Sequence, residues 1–146
     1  MDPSADLPED HPVARWHRVL AGRDPAALPP LFTDDAVFLS PVVHTPQRGR
    51  PLVVAYLSAA FKVFGNPAFR YLREVVGERD AVLEFETEID GVLVNGVDML
   101  RWDEAGRIVE FRVMVRPLKA IQTVHARMAE MVGMRGFEPS TPAARR

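Results

Sequence analysis

The hydrophobic pattern changes period part-way along the chain. Around Pro12–Leu20 and Pro51–Phe64 apolar residues recur every three or four positions, whereas from Phe69 to Arg116 they alternate with polar ones. The first regime predicts helices. Asp10 or His11 caps the first, with Pro12 in its opening turn; Val13, Trp16, His17 and Leu20 share one face, and Gly22 ends it. Asp24 then caps a turn opened by Pro25, and Pro29–Pro30 allow only a single turn or a break before Leu31 and Phe32. Asp34 and Asp35 lead into a short strand, Ala36 to Ser40, closed by Pro41. The loop from Val42 to Arg50 carries His44 and Gly49. Pro51 opens the next helix, with Leu52, Ala55, Tyr56, Ala59, Ala60 and Val63 along one side until Gly65, Asn66 and Pro67 stop it.

The second regime predicts the sheet. All thirteen prolines lie at or before Pro67 or at or after Pro117, so the intervening window is free of the residue a central strand does not accept. Strands are expected at about Phe69–Val76, Ala81–Ile89 and from Val92 onward. Asp90-Gly91 is the two-residue signature of a tight hairpin. With Ile89 facing Val92, Thr87 faces Val94, Phe85 faces Gly96 and Leu83 faces Asp98, all on one side. Glu84, Glu86 and Glu88 form the other, solvated side. Asp98 therefore belongs to the apolar face.

The turn Asp103-Glu104-Ala105-Gly106 leaves two registers open. A four-residue loop pairs Trp102 with Arg107 and puts Val109, Phe111, Val113 and Val115 beside Asp98. A three-residue loop with a glycine bulge pairs Trp102 with Ile108 and puts Glu110, Arg112, Met114 and Arg116 there. The first is preferred because it buries four apolar side chains and leaves Arg112 outside. A last helix, Leu118 to Val132, turns Leu118, Ile121, Val124 or His125, and Met128 inward. Helices followed by a curved antiparallel sheet make an α+β fold.

Composition narrows the chemistry. At 146 residues, 47% hydrophobic and 26% charged, the chain makes one domain, assigned to residues 11–133, with residues 1–10 and 134–146 expected to be disordered. A net charge of −2 gives no electrostatic reason for nucleic acid. With no cysteine there is no disulfide, thiolate metal site or thiol nucleophile. The acidic, proline-rich start lacks the pattern of a signal peptide, and no apolar run approaches about 18 residues; a cytoplasmic protein that does not engage membranes is expected. The histidines form no HxH or HxxxH pair, so neither metal nor cofactor is expected.

Two segments, AALPPLFTDDAVFLSP (Ala26–Pro41) and VDMLRWDEAGRI (Val97–Ile108), resemble the nuclear transport factor 2-like (NTF2-like) superfamily, in its SnoaL-like and ketosteroid isomerase-like branch, over about residues 12–117. The resemblance implies a bent sheet and three helices wrapped into a cone around a ligand pocket. It implies no single activity, because this fold hosts isomerases, cyclases, epoxide hydrolases, dehydratases and binding proteins. Asp98 stands where ketosteroid isomerase keeps a protonated aspartate in its oxyanion hole, and Phe111, Val113 and Val115 stand at pocket-lining positions. Ser40 replaces the general-base aspartate and Trp16 the oxyanion-hole tyrosine. A serine hydroxyl cannot shuttle a proton between carbons unaided, so steroid isomerisation by that route is not expected.

The candidate site follows. Asp98 is either paired with a buried arginine or backbone amides, or is a desolvated acid or base inside a pocket. His44, just beyond the strand ending at Ser40, is its candidate acid-base partner, the alternative being an exposed loop residue. Trp16, Leu20, Phe32, Phe38, Ser40, Tyr56, Leu83, Phe85, Leu100, Phe111, Val113 and Val115 are the expected lining, with Phe61 and Phe64 as walls or core. Two function classes stand side by side: an enzyme acting on a small hydrophobic molecule through Asp98, and a non-catalytic binding module with the same pocket. A limonene epoxide hydrolase-like variant requires Arg112 beside Asp98. A homodimer through the outer sheet face is also expected, since that face mixes Val82, Val97, Met99, Ile108 and Met114 with Glu84 and Arg112.

Overall fold

The computed structural model describes residues 6–134. Of the segments expected to be disordered, residues 1–5 and 135–146 lie outside this range; residues 6–10 form turns, with Leu7 packed against the core. Helix α1 spans Pro12–Gly22, and two 3-10 turns, Pro25–Ala27 and Pro29–Leu31, lead to strand β1, Phe32–Leu39. A two-residue strand β2, Gln47–Arg48, precedes helix α2, Arg50–Phe64. Strands β3 (Arg70–Val76), β4 (Asp80–Ile89), β5 (Val92–Trp102) and β6 (Ile108–Arg116) follow, and helix α3 spans Leu118–Met134.

The caps follow local chemistry. His11 Nδ1 accepts from the Val13 amide, which requires that nitrogen to be unprotonated, and burial lowers the pKa of this imidazole. Asp24 accepts from the Ala26 amide in the same way. β1 starts four residues earlier than the sequence suggests, and its aspartates lie within it as an exposed stretch beside a bulge.

The strand order is β2-β1-β6-β5-β4-β3, an open and curved sheet. It is mixed rather than wholly antiparallel: β1 runs parallel to β6 because α1 and the turns after it deliver β1 to the far side of the hairpins. The β4–β5 register is the one the Asp-Gly turn dictates, with Ile89 opposite Val92 and Leu83 opposite Asp98. Asp90 and Gly91 both have positive φ, 52° and 78°, as the primed turn requires.

The β5–β6 connection combines both anticipated registers. Gly106, with φ 84°, closes a three-residue loop, the Asp103 amide donates to the Arg107 carbonyl, and Trp102 pairs with Ile108. A shift between Arg101 and Trp102 then restores the opposite phase, so Leu100 faces Phe111 and Asp98 faces Val113. Ile108 is consequently core, at 1% exposure, and not part of the outer face, while Val109 is only half-buried. Arg112 pairs opposite Met99 on the outer side and bonds Glu110.

Two helix faces also differ from their expected form. α2 packs against both β1 and α3, so its buried residues, Val53, Tyr56, Leu57, Ala59, Phe61 and Val63, cover more than one stripe. In α3, Leu118 is 69% exposed and Ala120 and Val124 take the inner positions.

Gly96 matters to this packing because a Cβ there would stand 2.4 Å from the Met114 carbonyl oxygen and 2.7 Å from Phe85 Cζ. Gly96→Ala should therefore cost at least about 2 kcal/mol and lower Tm by roughly 5–10 °C. A calorimetric scan giving a Tm unchanged to within about 1 °C would show that β5 and β6 part without penalty.

Candidate functional site

The inner face of the sheet, the C-terminal ends of α1 and α2, and α3 enclose a cavity of about 920 Å³, counted with its open mouth. Asp98 is the carboxylate in its lining. The Asp-Gly hairpin sets it inward, between Leu83 of β4 and Val113 of β6, where it is 7% exposed. Desolvation raises its pKa from 3.8 to about 7, and a hydrogen bond from Tyr71 partly opposes that rise.

Tyr71 is the residue that sequence reasoning did not single out. Its hydroxyl donates to Asp98 Oδ2 at 2.6 Å and accepts from Trp16 Nε1 at 2.9 Å, so indole, phenol and carboxyl form one chain. Burial and the neighbouring Asp98 push the phenol well above its usual pKa, so it stays a donor. The indole contact makes that hydroxyl a better donor, since successive hydrogen bonds polarise one another. Trp16, which stands where the resemblance places a tyrosine, thus gives its indole N–H to Tyr71.

Tyr71 comes from the edge strand β3 by way of a bulge. Tyr71 pairs with Phe85 and Glu74 with Leu83, both inward, while the extra residue, Leu72, is 43% exposed. Strict alternation counted from Glu74 would have turned Tyr71 outward. The only hint lay in its chemistry, since a phenol that is buried needs a partner.

The two oxygens of Asp98 differ. Oδ2 is held by Tyr71, whereas among the described residues Oδ1 has no hydrogen-bond partner. Among the described residues no buried side-chain oxygen is left unsatisfied, so Oδ1 reaches accessible space, which is the cavity. Ser40 lines the same cavity. Its Oγ accepts from the Val42 and Val43 amides at 3.0 and 3.2 Å, which leaves its proton free to donate.

Of the expected lining, Trp16, Leu20, Phe38, Ser40, Tyr56, Phe85, Phe111 and Val113 face the cavity with Asp98. Phe32, Leu83 and Leu100 do not; at 0–1% exposure they pack behind it as core. Val115 packs with the second cluster, around Val124 and Ile89. His44 is exposed and outside the lining, because Val43 and not its neighbour turns inward. Arg112 lies on the opposite face of the sheet, so among the described residues no arginine stands beside Asp98, and the epoxide hydrolase-like arrangement with Arg112 is not formed. Arg116 bonds Asn95 at the surface. His17 bridges to buried Glu74 at 3.0 Å and meets the Tyr71 ring edge-on. Among the described residues no His, Asp and Glu cluster is arranged to hold a metal ion, and no helix is long and apolar enough to cross a membrane.

Comparison with known proteins follows this geometry. No protein of curated function matches the chain. A steroid delta-isomerase from Pseudomonas aeruginosa is 36% identical, with a TM-score of 0.82 over 89% of this chain and 96% of its own. A bacterial protein of cystatin-like fold from Silicibacter pomeroyi is 30% identical, with a TM-score of 0.80 over 86% and 87%. An NTF2-like protein from Mesorhizobium loti is 28% identical, with a TM-score of 0.63 over 73% and 88%. The model of the SnoaL-like domain matches residues 13–111, well over half of the sequence. The chain belongs to the SnoaL-like family of the NTF2-like superfamily.

Proposed function

We propose that the cavity binds a small hydrophobic molecule carrying a carbonyl or hydroxyl oxygen, and that Asp98 transfers a proton to or from it. The observation that carries this reading is a carboxyl with one oxygen held by Tyr71 and the other open to an apolar cavity. A group with a pKa of about 7 is divided between acid and base at neutral pH, the condition under which one carboxyl can both take and return a proton. The ionised form would remove a proton from a carbon next to a carbonyl. The electron pair then moves onto the carbonyl oxygen, and the neutral Asp98 returns the proton at the same or another carbon. That sequence is an isomerisation, in keeping with the steroid isomerase among the relatives. It dispenses with the second carboxylate that Ser40 replaces.

The binding-module reading is favoured by one observation: His44 stands outside the cavity, and among the described residues no other acid lines it beside Asp98. Proton exchange separates the two. In D2O near neutral pH, the protein should accelerate exchange of the α-protons of 2-tetralone or a 3-keto steroid, read by NMR. Asp98→Asn should lose at least about 100-fold of that rate. No acceleration over buffer by the parent protein, with binding retained, would establish the module instead.

The pH dependence of stability tests the state of Asp98 without any substrate. Between 3.8 and about 7 the folded chain holds a proton that the unfolded chain has released. Stability from this group is therefore full below 3.8, falls by up to about 4 kcal/mol as pH rises to 7, and then levels off. Asp98→Asn lacks that loss, so urea unfolding between about pH 4 and pH 8 should show its stability gaining steadily on the parent's. Parallel curves would mean that Asp98 is ionised throughout.

The outer face carries the proposed homodimer, which together with a cytoplasmic location completes this reading. Val75 and Met114 are 59% and 49% exposed there, flanked by the Arg73–Glu84 ion pair, and Val82, Val97 and Met99 lie between them. Light scattering at about 100 μM should give twice the 16.3 kDa chain mass, and Met114→Glu should halve it. A monomer mass for the parent would exclude the dimer.

A further inference from the structure

We infer that the ligand is an apolar carboxylic acid, its oxygen function at Asp98 and its carboxylate at Arg23 in the cavity mouth. The inference rests on the apolar-ligand reading above and adds the charged end. Three observations on the cavity wall point to it. Arg23 lines the cavity and is solvent-exposed, which puts it at the open end, and among the described residues its guanidinium has neither a hydrogen bond nor an ion pair. Its backbone is left-handed, φ 50° and ψ 34°, a conformation that a non-glycine residue adopts at a cost. Its side chain then runs over Gly65 at the end of α2, where a Cβ would lie 3.0 Å from Arg23 Nε and 3.1 Å from Cδ.

The cation is thus seated in a gap that a glycine leaves. The carbonyl end of α2 attracts a positive charge there without neutralising it, and Gly65 itself lines the cavity. His125 of α3, also exposed and lining, offers a further N–H to the same mouth and has no partner among the described residues. The acid in the lining is Asp98, enclosed with Tyr71 on the inner face of the sheet. The two ends therefore differ in kind: a carboxyl near neutrality inside, matched to an uncharged oxygen, and a planar cation outside, matched to a carboxylate. The apolar walls between them, Leu20, Phe61, Phe64 and Val124 among them, take the hydrocarbon body.

A matched pair of probes tests this: 6-hydroxy-2-naphthoic acid, ionised at pH 7, and its uncharged methyl ester, both titrated calorimetrically against the full chain. The acid should bind about fivefold more tightly than the ester at low salt, the scale of a partly exposed ion pair, and that preference should shrink in about 0.5 M salt. Arg23→Gln should bring the acid-to-ester ratio close to one, and Arg23→Lys should restore part of it. Ester binding with no preference for the acid, or a preference that survives Arg23→Gln, overturns the anionic-ligand inference and leaves the pocket reading standing. Binding of neither probe overturns the pocket reading, and this inference with it.

Discussion

The structure depends at its centre on one hydrogen bond, from the Tyr71 hydroxyl to Asp98 Oδ2. A carboxyl set among Leu83, Val113 and aromatic rings has lost its water, and by desolvation alone it would be neutral at pH 7. Tyr71 gives back part of what water supplied, and Trp16, by donating to the phenol, ties α1 to both. The bond therefore joins three elements, α1, β3 and β5, whose chain separations are 55 and 27 residues. Losing the phenol would leave the carboxyl fully neutral and uncouple the edge strand from the helix that covers it. Tuning the acid and closing the fold on that side are one interaction.

How far the site was legible in the sequence divides along the strands. Asp98 was placed because the Asp90-Gly91 turn admits one register and the pleat then assigns every side chain from Ala81 to Leu100 to a face. The same logic failed wherever a bulge breaks the period of two. In β6 a glycine-closed loop reverses the phase and the shift beside Trp102 reverses it back, so Phe111 and Val113 face inward as anticipated while Ile108 and Val109 exchange places. In β3 the bulge at Leu72 turns Tyr71 inward, and no local pattern in that strand signals it. A bulge costs little in sequence, one extra residue with no required identity, and so leaves little to read.

Loops were legible in composition but not in direction. Ser40 entered through the resemblance, at the general-base position, and His44 through its place just beyond the strand that Pro41 closes. The structure separates them: Ser40 Oγ is held by two amides at the wall, while His44 lies beyond Val43, whose burial at 7% exposure anchors the loop. What decided between them is which side chain of a short loop is apolar enough to be drawn in. The parallel pairing of β1 with β6 escaped for a related reason: it is made by the path of α1 and two 3-10 turns across the sheet, and not by any hairpin.

The family fold and the local chemistry therefore answer different questions. The wall of the cavity is built from aromatic contacts, such as Trp16 on Phe111 at 4.8 Å and Phe38 stacked on Tyr56 at 5.8 Å. These rings preserve shape whatever the chemistry inside. The polar groups are few, and each is held by a different device: Asp98 by a hairpin, Tyr71 by a bulge, Ser40 by a turn, Arg23 by a left-handed cap. Because those devices are local, Trp16 on α1 can donate to Tyr71 on β3 without altering how the sheet sets Asp98. In this chain the shape of the cavity and the placement of its few polar groups are thus set by separate features of the fold.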